Sequence, residues 1–294
     1  MFKRSLKVLL IIVGSLVGIL VLSYVVIYSI STYRLSQVYT FDQLPLQIPN
    51  DSASILAGQH IASIRGCEDC HAKDFGGKII KSGPEFGMLA GPNLTNGIGG
   101  IGASLTDGDW VRAIKHGVNK EHRTLLLMPA NEYFQLSNTD IQNLVAYMKT
   151  VPPVDRKIPA AKAGPLLRIL YTIGKFPNLA PAELITDHAG KATLAYTPGI
   201  SEQNGRYLIT SCTGCHGDSL KGKDFGIPGI KASVDITSTG NVGKWTEEQF
   251  IRALRTGQTP QGRQLDPKDM PWTMTANFTD DELRSLYQFL HRLP

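Results

Sequence analysis

The chain opens with an apolar block. No charged residue occurs from Val8 to Tyr33, and Lys3, Arg4 and Lys7 stand just before it. At about 1.5 Å per residue such a run crosses a hydrocarbon core of about 30 Å, so it predicts a transmembrane helix meeting lipid through residues 8–33. Positive charge ahead of the span predicts a cytoplasmic N-terminus and an exported remainder. A cleaved secretory signal has an apolar core of about 7–15 residues followed by a small-x-small site. The run here is longer, and SYVVIYSISTYR offers no good site, which favours an uncleaved anchor.

Beyond the anchor the pattern changes to short amphipathic helices with little strand signal. In TEEQFIRALRTG, Phe250, Ile251 and Leu254 recur at helical spacing, Thr246 and Gln249 supply a capping box, and Gly257 is a stop. TDDELRSLYQFLHRLP repeats the design, with Thr279 and Glu282 as the box and Leu283, Leu286, Tyr287 and Leu290 as the apolar face.

These helices belong to an internal repeat. LTDGDWVRAIKHGV (Leu105–Val118) matches WTEEQFIRALRTGQ (Trp245–Gln258), MPANEYFQLSNTDIQNLVAYMKTVP (Met128–Pro152) matches MPWTMTANFTDDELRSLYQFLHRLP (Met270–Pro294), and NLT at Asn93–Thr95 matches DIT at Asp235–Thr237. The chain therefore divides into a cytoplasmic tip and anchor (1–40), a first domain (41–152), a linker (153–196) and a second domain (197–294). The stretch VPPVDRKIPAAKAGPLLRILYTIGKFPNLAPAELI around the linker holds six prolines and predicts an extended connection wrapped over the domains.

The net charge of +5 does not indicate nucleic-acid binding, because the positive excess sits in the leader and the linker rather than on either repeated domain. No G-x-S-x-G elbow or phosphate loop with its lysine occurs, and no catalytic side chain is assigned.

All four cysteines fall in two CxxCH motifs, Cys67-Glu68-Asp69-Cys70-His71 and Cys212-Thr213-Gly214-Cys215-His216. A zinc site would need two thiolate pairs at much closer spacing, and a thioredoxin-like pair would need a βαβ context. Disulfides suit an oxidising compartment but leave both histidines without a purpose. Covalent haem attachment uses every residue: cysteines at i and i+3 emerge on one side of a helical turn as two thioethers, and the following imidazole reaches the iron from that side.

On these motifs both repeats resemble the class I cytochrome c family. The resemblance implies two haem c groups held by Cys67, Cys70, Cys212 and Cys215, with His71 and His216 as iron ligands. LLLMPANEY and KDMPWTM resemble the family's methionine loops, which implies Met128 and Met270 as second axial ligands. GPNLT at Gly91–Thr95 resembles the segment whose proline carbonyl accepts a hydrogen bond from the ligand histidine; SVDIT in the second copy has no proline, leaving the acceptor for His216 open. Met274 falls opposite Glu132 in the repeat. The other histidines, His60, His116, His122, His188 and His291, read as surface or helix-end residues.

The overall plan is most similar to the cytochrome subunits of membrane-bound quinoprotein alcohol dehydrogenases, which carry three haem motifs where this chain has two. The resemblance implies a mostly α, membrane-anchored dihaem cytochrome c with its haem domains on the periplasmic side of a bacterial inner membrane. Its electrons would come from a periplasmic or quinol-linked dehydrogenase and leave to an oxidase or small soluble cytochrome. A dihaem peroxidase or sulfur-compound oxidase would need an open iron position, against two matched Met-Pro loops. A terminal-oxidase subunit stays open as an alternative.

Overall fold

A computed structural model describes residues 2–42, 45–189, 198–225 and 231–294. The first domain contains α2 (Ser52–Ile64), α3 (Cys67–His71), α4 (Asp107–His116), α5 (Ala130–Tyr133) and α6 (Asn138–Thr150); it follows α1 (Phe2–Leu35). The linker carries α7 (Pro165–Thr172), and the second domain repeats the plan as α8 (Glu202–Leu208), α9 (Thr210–His216), α10 (Glu247–Thr256), α11 (Trp272–Thr275) and α12 (Asp280–Leu290). The boundary placed at 196/197 from the sequence lies outside the described residues.

The expected helix signals operate as read. Thr246 and Gln249 cap α10, Thr279 and Glu282 cap α12, and Gly257 ends α10 in the left-handed conformation at φ 70°. Leu283, Leu286 and Leu290 of α12 are buried while Tyr287 is half-buried. In each domain the first helix crosses the last at a glycine. A Cβ on Gly58 would lie 1.9 Å from Asn143 O, and one on Gly205 would lie 2.0 Å from Ser285 O. Only hydrogen fits at these crossings, so they fix how the helix leading into each CxxCH segment meets the closing helix of its domain.

Two features depart from the sequence reading. Strands β1 (Lys78–Gly83), β2 (Gly87–Gly91) and β3 (Lys162–Ala163) form a small antiparallel sheet in the order β1-β2-β3. The linker, moreover, is not merely extended: α7 starts at Pro165, where a missing N–H costs nothing, and packs against the end of α1. Arg34 pairs with Glu183 at 2.6 Å and lies over the Tyr171 ring at 4.0 Å, while Arg168 donates to Ser31 Oγ and Thr32 Oγ1. Helix α1 itself is long and apolar enough to cross a membrane.

The linker is tied to the first domain. Asn93 Nδ2 donates to the carbonyls of Val154 and Arg156, and Arg156 pairs with Asp74. His116 is a helix-end residue as expected, the last of α4, but it is buried rather than on the surface and meets His188 in an aromatic cluster. His188 Nε2–H donates to Ala182 O, so its Nδ1 accepts from His116 Nδ1–H at 3.1 Å, and Phe41 stacks on His188. Burial pushes the His116 imidazole down to about 3, which keeps it neutral.

Candidate haem sites

Helix α3 presents Cys67, Cys70 and His71 to the wall of a cavity of about 330 Å³ in the first domain. Leu94, Trp110, Ile114, Met128 and Tyr133 complete a mostly apolar lining. That volume lies within the range of about 300–1,000 Å³ typical of cofactor pockets.

His71 is buried, and its Nδ1 lies 3.0 Å from the carbonyl oxygen of Pro92. A carbonyl only accepts, so Nδ1 carries the proton and Nε2 keeps its lone pair for a metal. Burial lowers the affinity of His71 for a second proton, which preserves that lone pair. The thiols point the same way. Burial pushes Cys67 and Cys212 up to about 12, so they are poor thiolate ligands or redox nucleophiles as free groups. No cysteine pairs with another in a disulfide.

The second domain resolves the acceptor that the sequence left open. His216 Nδ1 lies 2.8 Å from Val234 O, the position matching Pro92. Backbone carbonyls are common to all residues, so proline is not required. Both acceptors are held by the same local device. Asn93 Oδ1 accepts from the Thr95 N–H at 2.9 Å and Asp235 Oδ1 from the Thr237 N–H at 2.7 Å, so NLT and DIT are equivalent side-chain turns. Just upstream, a Cβ on Gly91 would meet Cys70 O at 2.0 Å, whereas the matching Ser233 donates its hydroxyl to Cys215 O at 2.6 Å. After each motif histidine the chain turns through the same conformation, at Ala72 (φ 65°, ψ 164°) and Gly217 (φ 76°, ψ 165°).

The methionine loops share a backbone as well. Pro129 has φ −76° and ψ 54°, Pro271 φ −75° and ψ 60°, and in each loop the N–H two residues after methionine donates to its carbonyl at 2.7 Å. Met128 lines the cavity with His71, and Met270 is half-buried. Met274 Sδ lies across the domain boundary, 3.1 Å from where a Gly66 Cβ would stand. Trp110 and its counterpart Phe250 are both core residues.

Sequence reasoning missed a third part of the site, the seam between the domains. Helix α11 packs on α2, and α5 packs on α9. His60 Nε2 donates to the Glu282 carboxylate at 2.9 Å, and in the reciprocal position Tyr207 Oη donates to Asp140. Glu132 of α5 lies against Gly214, inside the second CxxCH. Burial raises its carboxyl to about 7 against the opposing pull of Arg65 and Lys223. Only the repeat alignment, which sets Asp140 opposite Glu282, could have flagged these positions.

Residues 202–294 match the family model described as Cytochrome c, and residues 53–148 that described as Cytochrome C oxidase, cbb3-type, subunit III. The chain belongs to the cytochrome c family and carries two cytochrome c domains. Over 269 residues it is 24% identical to the fructose dehydrogenase cytochrome subunit of Gluconobacter japonicus, covering 82% of this chain and 53% of that protein. It is 26% identical to the cytochrome c subunit of the quinone alcohol dehydrogenase of Gluconacetobacter polyoxogenes, covering 83% and 57%. The chain thus spans about half the length of these two relatives. A diheme cytochrome c-type protein of Cereibacter sphaeroides is 26% identical, with 81% of this chain and 85% of the relative aligned.

Proposed function

We propose that this chain is a membrane-anchored dihaem cytochrome c that takes electrons from a dehydrogenase and passes them to an oxidase or soluble carrier. The carrying observation is the matched geometry of the two motifs. Each ligand histidine directs its Nδ1–H to a backbone carbonyl, Pro92 O or Val234 O, beside a pair of cysteines at i and i+3. Covalently held haem c would supply a one-electron centre at each site. Cys67 and Cys70 would hold the first group and Cys212 and Cys215 the second. His71 with Met128, and His216 with Met270, would complete the two axial pairs. Two protein ligands per iron suit outer-sphere transfer and leave no place for a bound substrate.

The names of the aligned dehydrogenase subunits support a dehydrogenase as donor. The contacts of Arg34 with Glu183, and of Arg168 with Ser31 and Thr32, support a retained anchor, since a removed leader would leave these partners without function. Positive charge at the start of a retained anchor supports haem domains on the periplasmic side of a bacterial inner membrane. The name of the model matched by residues 53–148 favours a second reading, a cytochrome subunit of a terminal oxidase.

Mass spectrometry and pyridine haemochrome assay of the chain, expressed with haem-attachment machinery, should show two covalent haems. Serine at both Cys67 and Cys70 should remove one. Co-purification from solubilised membranes separates the two readings: a dehydrogenase supports the first, and an oxidase core without a dehydrogenase supports the second.

A further inference from the structure

We propose that Arg65 is a positioning residue for electron exchange between the two domains: it locks the two haem-attachment segments together and places a positive charge between them. The inference rests on the dihaem reading above.

Arg65 and Thr210 each stand two residues before the first cysteine of their motif. They meet at the centre of the seam. The Arg65 side chain crosses into the second domain, where one terminal nitrogen donates to Thr210 Oγ1 at 2.8 Å and Ser211 Oγ at 2.7 Å. Longer contacts reach the carbonyls of Leu208 and Tyr207 at 3.4 Å. On its own side, the Arg65 carbonyl accepts from Tyr133 Oη at 2.7 Å, and both residues line a second, smaller pocket together with Cys67, His71 and Met128. The guanidinium therefore grips the segment entering Cys212, while its backbone leads directly into Cys67.

Several features suit this to positioning rather than ordinary surface pairing. Arg65 is 5% exposed, and its cross-seam hydrogen bonds go to hydroxyls and carbonyls rather than to a carboxylate. No carboxylate is hydrogen-bonded to it, although the Glu132 carboxyl lies within reach of its charge. A buried, poorly screened cation favours the electron-rich state of nearby redox centres. A forked, planar guanidinium also fixes direction, which a lysine ammonium does not. The reciprocal pairs His60 with Glu282 and Asp140 with Tyr207 also cross the seam, and the buried Tyr207 ring lies under the Arg65 guanidinium at 5.3 Å. Of these crossings, Arg65 is the one that joins the residues just before both motifs. Electron exchange falls steeply with separation, so a loosened seam slows it even where each domain keeps its fold.

The test uses the full haem-loaded chain with Arg65→Met, Arg65→Lys and the acceptor-side double variant Thr210→Val/Ser211→Ala. Haem content is measured first: a parent chain with fewer than two haems would overturn the dihaem reading itself, separately from the role of Arg65. Flash photoreduction then follows interdomain equilibration, and redox titration gives both midpoint potentials. Arg65→Met should slow equilibration about tenfold or more, as loss of preorganised alignment does elsewhere, and should lower both potentials. Arg65→Lys should keep the potentials near the parent values yet still slow exchange. The double variant, with Arg65 intact, should slow exchange as well, which covers the case in which Arg65→Met fails to fold. Equilibration within about twofold of the parent in the double variant and in Arg65→Lys would overturn the proposal.

Discussion

Replacing Gly58 by alanine sets two effects of opposite sign against each other. Inside a helix the change gains about 1 kcal/mol of propensity. The new methyl carbon would stand 1.9 Å from Asn143 O, 2.5 Å from Asn143 C and 2.8 Å from Tyr147 Cβ. The nearest two atoms are backbone and cannot swing aside. To restore ordinary contact α2 and α6 must part by about 1.5 Å, and overpacking of this kind typically costs about 1–3 kcal/mol. With immovable backbone as the obstacle the upper end applies, so the net loss is about 2 kcal/mol. For a domain near 100 residues that lowers the melting temperature by about 10 °C. Thermal unfolding followed by far-ultraviolet circular dichroism should show the drop, together with a lower haem content in the first domain. Gly205→Ala should do the same to the second domain, where Ser285 O stands 2.0 Å away. An unchanged or raised melting temperature in Gly58→Ala would mean that the crossing is not tight and that propensity wins.

Met270→Leu should lower the potential of one haem and make it reactive to carbon monoxide, while Met274→Leu, at a residue facing Gly66 of the other domain, should leave the axial spectrum nearly unchanged. Ala72→Gly, at φ 65° and ψ 164°, should relieve strain and raise stability by up to about 1 kcal/mol in a denaturant titration. The Glu132 carboxyl, raised by burial to about 7 against the pull of Arg65 and Lys223 and with Asp218 adding to the rise, binds a proton more tightly folded than unfolded. Stability should therefore fall as pH rises from the ordinary glutamate range towards 7, and Glu132→Gln should flatten that slope. His60, raised by its hydrogen bond to Glu282, follows the same sign at higher pH. Its contribution is complete below the ordinary histidine value and is lost as pH rises through the folded one, so His60→Gln should remove stability mainly on the acid side.

The capping boxes at Thr246 and Thr279 were legible because a cap is a local contract among four residues and leaves a fixed spacing. The repeat was legible for the same reason, since Met-Pro, NLT and DIT recur at constant offset. What escaped was set by distant partners. Most of the β1 segment Lys78–Gly83 is exposed on both faces, so it has no alternation to read and exists through its antiparallel pairing with β2. Proline density masked α7, whose first residue is a proline that starts the helix rather than breaking it. Val234 serves His216 through a backbone atom that all residues share. Arg65, Glu132 and His60 look like ordinary surface residues until a second domain covers them.

The reciprocal pairing of His60 with Glu282 and Tyr207 with Asp140 is the arrangement of an isologous homodimer, in which one patch meets its own copy. Here both copies lie in one polypeptide. A true homodimer must place the same residue on both sides of its axis, and two facing arginines would repel. Fusion removes that restriction. Arg65 can then oppose Thr210, and Glu132 can diverge from Met274, so each half evolves a surface that its twin need not tolerate. The duplicated chain is thereby free to make two unlike centres from one architectural unit, and to give an electron a preferred direction between them.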